Sequence, residues 1–333
     1  MRLPASAAVL AALALALAGV SAPQWRWRLP EGHLPPAVPA DNPMSSAKIE
    51  LGRRLFYDAD LSIDGTMSCA TCHEQKRGFT DGNRTHPGVH GNPGRRNIPS
   101  LANVAWRSSL TWADPTTRTL EAQAATPIAG DHPVEMGMKG AEAELPRRFG
   151  RDACYRRMFA KAFPEEKGRI DMTTISAALA AFQRTLISTD TPYDRWRQGD
   201  RTAMTSTAVA GAAVFGTKCA SCHSGADFTD DGFHRIGRKS PDAADRGLGE
   251  ITGDPAGNGK FRTPGLRNVA ISAPYFHDGA TPDLSGAILR HGDVAISAGE
   301  MDELLAFLQH LTDETFLKDK RFAYPEEACG RKL

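Results

Sequence analysis

Apolar positions along the chain fall into a few stretches of helical spacing, separated by long runs rich in glycine and proline. Ser45 or Ser46 can cap a helix whose apolar residues Ala47, Leu51 and Leu55 recur four apart and which ends near Tyr57. A second such helix starts from a cap at Thr205 or Ser206 and runs through Val209, Ala213 and Phe215. Between them, Ile170 to Ile187 carries Ile175, Leu179 and Phe182 at helical spacing before Thr191-Pro192 breaks the pattern. Near the end, Glu300 to Leu311 predicts another helix through Leu304, Leu305, Leu308 and Leu311. Long alternation of the strand kind is absent, so the expected class is mainly α.

The first residues follow a different rule. Met1-Arg2, an apolar run from Ala5 to Ala18 and small residues from Gly19 to Ala22 have the order of a secretory leader, and the run is short for a membrane span. Pro23 makes cleavage directly after Ala22 awkward, so the cut falls earlier or the segment stays as an N-terminal anchor. Residues 23–44, with their prolines and tryptophans, read as an irregular arm. Export to the periplasm is the expectation, as a soluble or anchored protein. The 333 residues suffice for two ordinary domains. Lysine plus arginine (40) nearly balance aspartate plus glutamate (39) and are spread along the chain, which argues against a nucleic-acid partner.

Cysteine usage changes the picture most. Cys69-Ala70-Thr71-Cys72-His73 and Cys219-Ala220-Ser221-Cys222-His223 each follow one of the capped helices. The echo continues: Gly78-Phe79-Thr80-Asp81 is answered by Asp227-Phe228-Thr229-Asp230, and Pro99-Ser100-Leu101-Ala102-Asn103-Val104-Ala105 by Pro264-Gly265-Leu266-Arg267-Asn268-Val269-Ala270. Three blocks in the same order point to an internal duplication, with one domain over 45–192 and another over 193–333. Cys154 and Cys329 remain, as a disulfide or as two separate buried thiols.

In Cys-x-x-Cys-His, two thiols one helical turn apart can bond the vinyl groups of one haem while the next histidine ligates its iron. Two copies predict two cytochrome c-like domains, each with one covalently bound c-type haem, His73 and His223 being the proximal ligands. The group opposite each iron separates an electron carrier from a catalyst, and spacing alone does not choose it among His33, His86, His90, His132, His234, His277, His291 and His310.

From about Ala40 to Leu311 the chain resembles the bacterial dihaem cytochrome c peroxidases and their MauG relatives. The resemblance rests on Leu51-Gly52-x-x-Leu55-Phe56, both haem motifs, Arg96-Asn97-x-Pro99-Ser100-Leu101, Leu120-Glu121-x-Gln123, Pro133-Val134-Glu135-Met136-Gly137 and Ala273-Pro274-Tyr275-Phe276-His277-Asp278-Gly279. The stretches Val38-Pro39-Ala40-Asp41-Asn42-Pro43-Met44, Leu110-Thr111-Trp112-Ala113-Asp114-Pro115 and Asp131-His132-Pro133-Val134-Glu135 look most like the MbnH-type members.

The resemblance implies an oxidoreductase in which hydrogen peroxide produces a high-valent dihaem state that oxidises a side chain, a tryptophan, of a partner such as an MbnP-like copper-binding protein. It makes Glu135 the distal carboxylate of the peroxidatic haem, Gln123 a pocket amide and Trp112 an electron relay between the haems. Asn97, with the carbonyls of Ser272 and Pro274, matches an inter-haem calcium site, a hard-oxygen set. The position fourteen residues after His277 is methionine in the peroxidases and tyrosine in MauG; here it is His291, which implies a bis-histidine second haem, with Met301 as fallback. His90, and less directly His86, fall near the histidine that blocks the resting peroxidatic haem, and His90 is read as a loop residue that leaves it open. Two alternatives stand beside this: a dihaem peroxidase that reduces hydrogen peroxide with electrons from a small cytochrome, and a non-enzymatic electron-transfer cytochrome.

Overall fold

The computed structural model describes residues 25–31, 33–237 and 244–333, so the leader expected over 1–22 lies outside the described part. In chain order the helices are α1 (Ser46–Phe56), α2 (Cys69–Cys72), α3 (Leu120–Ala129), α4 (Glu144–Arg151), α5 (Ala153–Ala162), α6 (Met172–Gln183), α7 (Pro192–Arg197), α8 (Ser206–Lys218), α9 (Leu248–Thr252), α10 (Leu284–Arg290), α11 (Ala298–Gln309) and α12 (Glu314–Lys318). Strand structure among the described residues is two short antiparallel pairs, β1 (Phe233–His234) with β2 (Phe261–Arg262) and β3 (Glu327–Ala328) with β4 (Arg331–Lys332). The fold is mainly helical.

The principal helices begin where a side chain can satisfy their first amides. Ser45 accepts from the Lys48 amide ahead of α1, and Thr205 from the Ala208 amide ahead of α8. Asp171 and Thr174 form a reciprocal cap that starts α6 at Met172, inside the broader stretch expected, and Ser297 with Glu300 does the same for α11. Thr191-Pro192 does more than end a pattern. Thr191 caps α7, with Pro192 at a first position where its missing N–H costs nothing.

Two apolar cores form, and both are built on the same crossing. Leu51, Leu55 and Phe56 of α1 pack on Ile175, Leu179 and Phe182 of α6. Phe215 of α8 packs on Leu304, Phe307 and Leu308 of α11. A Cβ on Gly52 would lie 1.9 Å from the Ala178 carbonyl oxygen, and one on Gly211 would lie 1.9 Å from that of Glu303. Only glycine allows either approach. The aromatic pairs behind the crossings repeat as well: Phe56 to Phe182 is 5.2 Å between centroids, Phe215 to Phe307 is 5.1 Å. Each such buried ring contributes about 1.5–3 kcal/mol.

The chain leaving each core helix crosses to the other core. Tyr193 and Trp196, after α6, pack on the second core, while Phe316 and Phe322, after α11, belong to the first. Tyr57 donates its hydroxyl to the Phe322 carbonyl (2.7 Å) and Arg53 donates to that of Ala323 (2.7 Å). Of the two alternatives for the remaining cysteines, the disulfide is present: Cys154 on α5 is bonded to Cys329 between β3 and β4, with Cα atoms 5.8 Å apart.

Candidate functional site: two histidine centres

Both Cys-x-x-Cys-His motifs close one turn, the His73 and His223 amides donating to the Cys69 and Cys219 carbonyls at 3.0 Å each. Burial pushes the Cys69 and Cys72 thiols up to about 12 and raises that of Cys219, so these thiols are uncharged at neutral pH.

His73 Nδ1 lies 2.7 Å from the Phe79 carbonyl oxygen, and His223 Nδ1 lies 3.1 Å from that of Phe228. A carbonyl only accepts, so each Nδ1 carries the proton and each Nε2 keeps its lone pair. Burial lowers both imidazoles, His223 to about 4, so the rings are neutral and in the form that ligates metal. Phe79 and Phe228 deliver these carbonyls from left-handed backbone, at φ +65° and +55°.

Across from His223 stands His291, at the end of α10. The ring centroids are 6.3 Å apart and the planes cross at 65°. His291 Nδ1 faces the Ala287 carbonyl at 2.9 Å, which again leaves Nε2 free. Two metal–imidazole bonds of about 2 Å, with about 1.1 Å from each nitrogen to its ring centre, span roughly 6 Å. The gap therefore fits one metal ion. Met301, the fallback, is half-buried on α11.

The first centre differs. Among the described residues no histidine ring stacks against His73, although His86 is near enough for its charge to act on it, and the half-buried carboxylate Glu135 is close enough for its charge to raise Cys69 and Cys72. Burial raises the Glu135 carboxyl, opposed by His86. The Val89 amide donates to the Glu135 carbonyl (2.7 Å), and Met136 and Met138 donate to Pro127 and Ile128 at the end of α3 (2.9 Å each). Gly88 is needed beneath this segment, since a Cβ there would lie 1.9 Å from the Val134 carbonyl oxygen. Gln123 is half-buried on α3, one turn before Pro127. His90 is exposed beside Gly137. His86 is half-buried, its Nδ1 2.7 Å from Asp81 Oδ2. Burial works against the Asp81 carboxylate, yet its bonds to His86 and Asn83 hold it below the usual range.

Trp112 is buried in the seam between the halves. Its Nε1 donates to the Asn97 carbonyl (2.8 Å), and its own carbonyl accepts from the Arg262 amide of β2 (2.9 Å). Asn97 also donates its amide to the His277 carbonyl (2.7 Å) and Nδ2 to that of Asn83 (2.9 Å), which leaves Oδ1 for another partner. Ser272 and Pro274 precede His277 in the same turn region, Pro274 through a cis bond. His277 stacks on Phe261 at 3.4 Å, and its buried Nε2 has no hydrogen-bond partner among the described residues.

Residues 46–202 match the di-haem cytochrome c peroxidase family. The methylamine utilization protein MauG of Methylophilus methylotrophus is 37% identical, over 83% of this chain and 86% of that one. The chain belongs to this family. The cytochrome c peroxidase Ccp of Escherichia coli is 33% identical over 85% of this chain and 62% of its own length. A solved MauG-like protein associated with microbial copper homeostasis superposes with a TM-score of 0.87 at 39% identity, covering 91% of this chain and all (100%) of that one.

As a member of the family the chain is a dihaem, peroxidase-like oxidoreductase, and the family implies two haems c. The residues present fit that cofactor. Each motif offers two free cysteines and a neutral imidazole with a free Nε2, the His223–His291 gap suits one metal, and the orphaned His277 Nε2 is the kind of buried group that a bound polar ligand satisfies. No residue of α2 or α10 is buried, although α10 carries Leu284 and Ile288, as expected of surfaces that a porphyrin covers. Sequence reasoning missed the Phe79 and Phe228 carbonyls as histidine partners. Their signal was present, since both lie in the second echo block.

Proposed function

We propose that the chain is an exported, periplasmic enzyme of the MauG type that uses hydrogen peroxide to oxidise a tryptophan of a partner protein. Each half, 45–192 and 193–333, is one haem domain descended from a duplication, a reading supported by the three echo blocks and the repeated glycine crossing. Cys69 and Cys72 would hold one haem c and Cys219 and Cys222 the other, with His73 and His223 as the imidazoles offered to the irons and His291 as a second imidazole for the second haem. When bound, the irons supply a peroxide-accepting site and store two oxidising equivalents.

The chain's own residues do the rest. Glu135, with its raised carboxyl, takes a proton from incoming peroxide and returns it to the departing oxygen, worth about 10²–10⁴ in rate. Gln123 orients peroxide from α3. Trp112, bonded to the first half through Asn97 and to the second through Arg262, relays an electron between the centres. Asn97 Oδ1 and the Ser272 and Pro274 carbonyls hold a calcium ion in that seam. The relative associated with copper homeostasis supports a copper-binding partner.

The observation that supports this reading is the asymmetry of the centres: a histidine ring 6.3 Å from His223, and at the first motif a half-buried carboxylate, Glu135, close enough to act on Cys69 and Cys72. The test is to give the all-ferric holoprotein stoichiometric peroxide with its co-expressed partner and follow the partner by mass spectrometry. Oxygen gained at a tryptophan is expected; a partner left unmodified while peroxide is consumed contradicts the reading. The second reading, peroxide reduction with electrons from a small cytochrome, is favoured by one observation: the loop carrying His86 and His90 lies against the Glu135 segment. It predicts no reaction until the protein is partly reduced.

A further inference from the structure

Each proximal histidine is backed by an aromatic ring from the segment that follows a core helix, and for His73 that ring comes from the other half. After α6 the chain sets the Tyr193 ring 5.5 Å from Phe228, and after α11 it sets the Phe316 ring 5.5 Å from Phe79. Phe228 and Phe79 are the residues whose carbonyls hold His223 and His73. Gln75, two residues after His73, fastens the second crossing by donating to the carbonyls of Phe316 (3.1 Å) and Asp319 (2.9 Å).

The two crossings meet in a buried polar node. Asn103 donates its amide to Leu186 and Asn268 donates its amide to Leu311, both at 2.8 Å. Asn103 Oδ1 then accepts from the Ser188 amide (2.7 Å), and Asn268 Oδ1 from the Asp313 amide (2.8 Å). Ser188 Oγ donates to Asp313 Oδ2 and accepts from Asn268 Nδ2, each at 3.1 Å. Ser188 and Asn268 are fully buried and Asp313 is 1% exposed, so neither crossing can move without leaving polar atoms of the other unpaired.

We propose that Phe316 and Tyr193 are positioning residues: Phe316, reaching across from the second half, sets the proximal hydrogen bond of His73, Tyr193 sets that of His223 from within its own half, and the Ser188–Asp313 contact holds both segments in place. The inference rests on the dihaem reading. The strength of an Nδ1–H bond to a carbonyl sets imidazole basicity and so the potential of the iron it ligates. A shifted support therefore retunes the centre it backs, and for Phe316 that centre lies in the other half.

The test uses the holoprotein and the variants Phe316→Leu, Tyr193→Leu, Tyr193→Phe and Gln75→Leu. Haem content comes from the pyridine haemochrome, and each centre's reduction midpoint from spectroelectrochemistry with EPR assignment. Phe316→Leu should change the reduction equilibrium of the His73 centre roughly tenfold, about 59 mV, and leave the His223 centre in place. Tyr193→Leu should do the reverse, while Tyr193→Phe, which keeps the ring, should match the unaltered protein. Gln75→Leu leaves every core side chain in place and should move the His73 centre alone by a smaller amount. Full haem content with both midpoints unmoved in Phe316→Leu and Gln75→Leu, or with the His223 centre moving instead, overturns the proposal. Fewer than two haems in the unaltered protein would instead overturn the dihaem reading beneath it.

Discussion

His73 and His223 are held by carbonyls from equivalent turns, at 2.7 and 3.1 Å, and each lies beside a glycine-dependent helix crossing. Beyond that the halves diverge. His291 faces His223 across a gap fit for one metal ion, whereas the distinctive group near the first motif is Glu135, whose carboxyl burial raises. Similar turns give both centres a neutral imidazole with a free Nε2. The centres differ in the groups that stand beyond it. Peroxide requires a position that can open, and a stored oxidising equivalent is better kept at a centre that is closed.

The largest effect expected on this comparison comes from His291→Ala. The second centre should lose its low-spin EPR signal and become an open, high-spin centre like the first; an unchanged signal would mean that another residue, Met301 foremost, is the ligand. Next, Glu135→Gln should slow peroxide consumption in stopped-flow mixing by about 10²–10⁴ while both resting spectra stay as they were. Replacing Cys154 and Cys329 by serine should lower unfolding stability by roughly 2–5 kcal/mol in denaturant titrations, since the bond closes a loop between positions 175 residues apart. Gly52→Ala and Gly211→Ala should each cost about 1–3 kcal/mol, and by similar amounts if the two crossings are equivalent. Smallest is a pH effect. Because the Glu135 carboxyl is raised, the base form needed for peroxide is lost as pH falls through an inflection above the ordinary 4.5, and Glu135→Gln should flatten that limb of the rate profile.

Much of this was legible before any coordinates. The capped helices α1 and α8, both haem motifs and the echo blocks are local patterns, and local hydrogen bonding decides them. The opposition of His291 to His223 followed from a family offset and not from periodicity, because a ligand contributed by a distant segment leaves no local trace. The Thr191-Pro192 boundary placed Tyr193 with the second half, where it packs, but the return of Phe316 to the first core was hidden, because it depends on which buried surface lies within reach of the chain after α11. The Cys154–Cys329 bond is a third such case, since the two positions become neighbours only after the tail has crossed back.

The most direct test of the divided centres is low-temperature EPR of the all-ferric holoprotein before and after one equivalent of peroxide. One high-spin centre on His73 and one low-spin centre on His223 and His291 are expected at rest, and both signals should fall together on mixing without prior reduction. Two low-spin centres that ignore peroxide until an electron is supplied would contradict the account.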